Sequence, residues 1–200
     1  MENTKYMWLG VAVIIAFGAG YHAGFGSVSN LQEALIDIPL NLDARTQIAN
    51  CVAENGLPDH ACTPGAVFPE ATQDITCVKG YTKTVRNVST SLKKQVYREY
   101  NIPYPQPFGS YEVDHFIPLT LGGNNDIANL FPESAEPKPG FKEKDLVENY
   151  LHEKVCAGEI SLALAQREIS TNWVAVYNTI SPADLAQLKA QYKSWAGTGD

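Results

Sequence analysis

Charge is scarce in this chain. Only 18% of the residues are charged, and the balance is acidic, with a formal net charge of -7. The excess of Lys and Arg that would coat a whole surface for nucleic acid is missing. Acidic residues are absent between Lys79 and Arg98, where Lys83, Arg86, Lys93 and Lys94 also stand. Charge of either sign is absent between Tyr6 and Gly26. There is no C-x-x-C pair and no cysteine–histidine spacing that suits zinc, which argues against a zinc ribbon. No internal repeat is visible, which argues against a repeat architecture. What remains, with 44% hydrophobic residues, suits one globular domain with an appendage.

The appendage is the uncharged N-terminal run. Met7 to Phe17 is strongly apolar and about the length of a signal-peptide core, shorter than the roughly 20 residues of a full span. Gly18 to Gly26 extends it far enough for a span. Lys5 precedes the run, and Glu33, Asp37 and Asp43 follow it. Positive-inside logic then leaves the body of the protein outside the cytoplasm, facing the periplasm or exterior of a bacterial cell, or secreted. Ala16 and Gly18 offer a cleavage site, so an anchor and a cleaved signal both stand. The anchor is preferred, because Glu2 weakens the charged start and Tyr6, Trp8 and Tyr21 suit membrane interfaces. The four cysteines, Cys51, Cys62, Cys77 and Cys156, point to two disulfides in an oxidising compartment. Three pairings are open. The expected one joins Cys77 to Cys156 and Cys51 to Cys62.

The pattern reads as α+β. Short helices are expected over Asn30–Pro39 and Asp43–Asn55, the second with Ile48 and Val52 on one face, and Gly56-Leu57-Pro58 ends it. Ile75 to Arg86 reads as one or two strands broken at Gly80. Thr90 to Tyr100 reads as a helix with Leu92, Val96 and Tyr97 inward and Lys93, Lys94 and Arg98 outward. That basic face is free for phosphate or for water. Ser161 caps a helix through Glu168, Trp173 and Val176 belong to the core, and Ser181-Pro182-Ala183-Asp184 starts a last helix.

Between these lies Tyr111 to Glu133, YEVDHFIPLTLGGNNDIANLFPE. Tyr111 and Val113 alternate as a strand that ends in Asp114-His115. Gly122-Gly123-Asn124-Asn125 is turn chemistry, because Gly and Asn tolerate positive φ. Ile127 to Phe131 returns as a second strand, and Lys142 to Cys156 follows as an amphipathic helix. Asp145, Glu148, Asn149 and His152 form its polar stripe, opposite Leu146, Val147, Tyr150 and Leu151.

The order D-H-x-x-P-L, then G-G, then N-L resembles the HNH nucleases, whose catalytic unit is a ββα-metal fold. His115 and Asn129 stand fourteen positions apart, which fits the first two letters of that motif. TPGAVFPEATQ, TCVKGYTKTVR, KDLVENYLHEKVCAG and AQREISTNW extend the likeness from about Thr63 to Tyr177. They look like an exported bacterial group with the HNH signature. The resemblance implies a metal-dependent endonuclease acting on DNA, with RNA as a second substrate class. It makes His115 the general base, Asp114 a ligand of a divalent metal (Mg first) and Asn129 the residue that fixes the histidine loop. The chain departs from the family at the third letter. A His or Asn ligand is usual about nine residues after the middle Asn, and Lys138 stands there. Glu148 and Asn149 are the preferred replacements, with Asp145 and His152 next. Lys144–Glu148 pairing on a solvated face is the plain alternative for that helix.

The expected organisation is a signal or transmembrane segment over 1–26, a helical linker over 27–60, an HNH-like domain over 61–180 and a C-terminal helix over 181–200. Nucleic acid, held by Lys93, Lys94 and Arg98, and the membrane are the expected partners; no protein partner is inferable. The competing reading is a membrane-anchored binding or structural protein with an incomplete metal site.

Overall fold

The computed structural model describes residues 42–192. The anchor or signal segment, the Asn30–Pro39 helix and the end of the chain after Tyr192 lie outside them. The fold is α+β: helices around one two-stranded antiparallel sheet. Among the described residues no helix is long and apolar enough to cross a membrane.

Strand β1 is Tyr111–His115 and β2 is Leu130–Ser134, paired from Tyr111 opposite Ser134 to His115 opposite Leu130. The connection holds two short 3₁₀ turns, Leu119–Leu121 and Ile127–Asn129. The central helix, Phe141–Cys156, follows β2. Its N-terminus is closed by the Glu143 carboxylate, which accepts the Gly140 N–H at 2.9 Å. Leu146, Val147, Leu151 and Val155 are buried against the Leu162–Thr179 helix, which contributes Ala165, Ile169 and Trp173. Each fully buried side chain of this size contributes about 1.5–3 kcal/mol. Ser161 caps that second helix by accepting the Leu164 N–H, and a break at Asn172 (φ −167°, ψ 86°) bends it. The last described helix is Pro182–Gln191, with the Ser181 side chain accepting the Asp184 N–H. A second cluster packs Val96 and Tyr100 against Phe116, Leu130 and Phe131. Val96 comes from the basic helix, Thr90–Glu99, which Ser89 caps.

Both expected disulfides are present, Cys51–Cys62 and Cys77–Cys156. Two bridges suit an oxidising compartment outside the cytoplasm.

Three expected elements are corrected. The second strand, expected over Ile127–Phe131, starts later: Ile127–Asn129 is a 3₁₀ turn and the strand is Leu130–Ser134. Asp43–Asn55 is not helical. Its backbone groups bond across the chain instead of along it: Thr46 and Gln47 N–H donate to Ala61 O, and Cys51 N–H to Glu99 O. Arg45 ties the same segment to Cys62 O and to the Glu99 carboxylate. Ile48 and Val52, expected on one face of that helix, are exposed. Ile75–Arg86 forms no strand but two short helices, Gln73–Thr76 and Tyr81–Val85, on either side of Gly80. Thr72 caps the first, and the bridge from Cys77 holds its end to the central helix. The β-branched residues there meet no strand edge, so tertiary contacts override their propensity.

Candidate functional site

The antiparallel register sets Glu112 opposite Glu133 and Asp114 opposite Phe131. Because side chains alternate along a strand, Glu112, Asp114 and Glu133 share one face of the sheet. The central helix packs against β1 and brings Lys144 and Glu148, one turn apart, to these acids. Lys144 is wholly buried. Its Nζ lies 2.5 Å from Asp114 Oδ2, 2.5 Å from Glu148 Oε1 and 2.8 Å from the His115 carbonyl oxygen. Glu133 Oε2 is 4.0 Å away. Neither Glu133 oxygen has a hydrogen-bond partner, although the residue is 2% exposed.

The electrostatics follow from too many acids around one ammonium. Burial alone would lower Lys144, but Asp114, Glu148 and Glu133 hold it well above its usual range. Burial alone would raise Asp114, yet the Lys144 ammonium and His115 beside it hold the carboxyl below the usual range. Glu133 is driven well above the ordinary carboxylate range by burial, which Lys144 only partly opposes. Burial also pushes Glu148 up to about 7, and pushes Asp145 to about 9 with help from Glu148 and Asp114.

His115 is buried at the same strand end. Its Nε2 meets Asn125 Oδ1 at 3.2 Å. That amide is itself oriented: Oδ1 accepts the Asn87 N–H and Nδ2 donates to Val85 O. Nε2 therefore carries the proton, and Nδ1 keeps its lone pair. Burial pushes the imidazole down to about 4 against the pull of Asp114, and Arg86 lowers it further. It is neutral at physiological pH.

Asn129 closes the loop after His115. Its Oδ1 accepts the Ile117 N–H, and Nδ2 donates to Ile117 O and Asn124 O, all at 2.9 Å. The loop backbone approaches so closely that a Cβ on Gly123 would lie 1.7 Å from Ile117 O. Only glycine fits there.

The fold thus brings Asp114, His115, Asn129 and Glu148 to one place. It does not bring Asn149, whose Nδ2 donates to the Asp145 carbonyl of its own helix. Lys94 and Arg98 are exposed and Lys93 half-buried on the basic helix. No hydrogen bond or ion pair among the described residues links those three to Asp114, His115 or Glu148. From the same basic stretch, exposed Arg86 lies near enough for its charge to act on His115 and Glu148. His152 stands elsewhere, with Nε2 3.1 Å from Thr76 O and 3.4 Å from Cys156 Sγ. Cys77, His152 and Cys156 have metal-ligand atoms within 4.8 Å of one another. The two sulfurs are bonded to each other, however, so this group offers no thiolate in the oxidised protein.

Sequence reasoning missed Lys144, Glu133 and Asn125 as parts of this site. Lys144 carried a visible signal in its spacing from Glu148, Asn125 read as a turn residue, and Glu133 fell beyond the expected second strand. The carboxylates of Asp114, Glu133 and Glu148 with the His115 carbonyl form an all-oxygen donor set of the kind a hard divalent cation takes. The point on which Asp114, Glu148 and the carbonyl converge is filled by the Lys144 ammonium. A cavity of about 630 Å³ opens beside Tyr100, Tyr111, Phe131 and Glu133, but neither Asp114 nor His115 lines it. No family model, curated protein or solved structure matches the chain.

Proposed function

We propose that this protein is an exported, divalent-metal-dependent endonuclease of the HNH type, with a ββα-metal core, that hydrolyses phosphodiester bonds in DNA. RNA is a second substrate class. The observation that carries the reading is a neutral imidazole at a strand end beside a cage of carboxylate oxygens, on a strand–loop–strand–helix unit. In this reading His115 accepts the water's proton at Nδ1, the nitrogen that Asn125 leaves free. Asn129 holds the loop that carries the ring. Arg86 binds a phosphate oxygen next to the reacting bond, and Lys93, Lys94 and Arg98 hold the nucleic-acid backbone. Asp114 and Glu148 would hold the metal, with magnesium the first choice for oxygen ligands. When bound, a divalent cation stabilises the negative charge that develops at phosphorus. The uncharged N-terminal segment anchors the domain to the membrane, facing the periplasm or exterior.

Two observations favour a second reading, an anchored binding or structural protein on the same scaffold. Lys144 fills the cation position, and His115 is only 2% exposed. An in-gel nuclease assay on the full chain, with and without EDTA, separates the two. Chelator-sensitive cleavage is expected, and His115→Ala should lose about 10²–10⁴ in rate. Full-rate cleavage by His115→Ala would overturn the mechanism, and no cleavage by wild type would leave the scaffold.

A further inference from the structure

An ammonium has three protons to donate. Those of Lys144 are used by Asp114, Glu148 and the His115 carbonyl. Glu133 is left over: its buried carboxyl receives none of these protons, and one of its oxygens lies 4.0 Å from the same nitrogen. Three elements therefore deliver three carboxylates, from β1, β2 and the central helix, to a point that holds one positive charge. A divalent cation differs from an ammonium in the two respects that matter here. It carries one more charge, and it accepts more than three oxygen ligands.

We propose that the Asp114–Glu133–Glu148 cage is a divalent-cation site for which Lys144 is the built-in competitor. The ammonium is the resident occupant, and an incoming ion takes its place and recruits Glu133 as a third carboxylate ligand. Lys144 then sets the affinity of the site: the ion must outcompete a tethered charge that is always present. The inference rests on the cation position used in the proposed function, but not on the nuclease activity.

The test is Mn²⁺ binding to the purified full chain, read from loss of the free-ion paramagnetic resonance signal. Lys144→Met removes the competitor and leaves the cage. It should bind Mn²⁺ at least about tenfold more tightly than wild type, the scale on which groups around a metal site alter affinity. Adding Glu133→Gln to Lys144→Met should remove most of that gain. Equal Mn²⁺ affinity in wild type and Lys144→Met would overturn the proposal, as would a gain that Glu133→Gln leaves intact. If Lys144→Met folds only when Mn²⁺ is supplied, circular dichroism will record a metal-dependent transition, and the proposal stands. A Lys144→Met chain that Mn²⁺ neither binds nor folds, beside a wild type that binds none at millimolar ion, also overturns it. Mn²⁺ binding without cleavage would sink the nuclease and keep the cage. Chelator-sensitive cleavage with equal Mn²⁺ affinity in wild type and Lys144→Met would do the reverse.

Discussion

Asn129 and Lys144 are both wholly buried polar side chains, and both bond to the segment that runs from Asp114 to Ile117, but their surroundings are balanced in opposite ways. Around Asn129, every side-chain hydrogen bond lands on a backbone group that has no other use for it, and nothing is left over. Around Lys144, three protons are shared among more acceptors than they can serve, and Glu133 is left without one. A satisfied buried network rigidifies a loop, whereas a partly satisfied one is unstable unless something else completes it. The first arrangement is that of a structural clamp. The second is the arrangement on which the proposed cation site rests.

The contrast can be broken most forcefully at the clamp. Asn129→Ala should strand the Ile117 N–H, the Ile117 carbonyl and the Asn124 carbonyl. At about 1–3 kcal/mol for each buried group left unpaired, the expected loss is about 4 kcal/mol in urea unfolding. A loss below about 1 kcal/mol would mean that water replaces the amide and that the clamp is not structural.

The helix that carries Lys144 is also held from outside, by the bridge from Cys77 to Cys156 across 79 residues. Replacing both cysteines with Ser should lower stability by about 2–4 kcal/mol, because the unfolded chain regains its freedom. Circular dichroism melts of the two forms give the comparison. Unchanged stability would show that packing of Val147, Leu151 and Val155 suffices to seat the helix.

The other half of the comparison predicts almost no cost. Glu133→Met replaces an unpartnered acid by an apolar chain of similar length. It should change stability by less than about 1 kcal/mol, or raise it, since a buried acid that receives no hydrogen bond adds little to stability. A loss of about 3 kcal/mol would instead mean that Glu133 is as well satisfied as Asn129.

How far these features were legible in the sequence follows from how local they are. The central helix, its neighbours' Ser caps and β1 were readable because each rests on a period or a cap within a few residues. The α+β class followed from them. Asp114, His115 and Glu148 were readable by position, and the Lys144–Glu148 spacing was visible as well. That the pair is buried was not, because burial depends on β1 and β2 bringing Asp114 and Glu133 to the same face thirty and eleven residues earlier in the chain. The helix expected over Asp43–Asn55 failed for the same reason. Its backbone partners, Ala61 and Glu99, lie far along the sequence, and so does the Cys62 that closes the segment.

A modest, pH-dependent effect is expected at the buried Tyr100–Thr63 pair. The Tyr100 hydroxyl meets Thr63 Oγ1 at 2.7 Å, and Thr63 Oγ1 in turn donates to Leu130 O at 3.1 Å, so Tyr100 is the donor to Thr63. Burial pushes this phenol up to about 12. Its unfolded value is about 10. Between those values the unfolded chain releases the proton and the folded chain keeps it. Folding stability therefore falls as pH rises above about 10, by up to about 1.4 kcal/mol per unit from this group. Tyr100→Phe should cost about 1 kcal/mol at pH 7, the net worth of one hydrogen bond. It should also remove Tyr100's share of the alkaline loss, so that the two proteins converge in stability as pH climbs past 10. Urea unfolding of both at pH 7, 9 and 10.5 reads this directly. Parallel curves for the two proteins would show that the phenol titrates alike in both states, and that burial does not hold its proton.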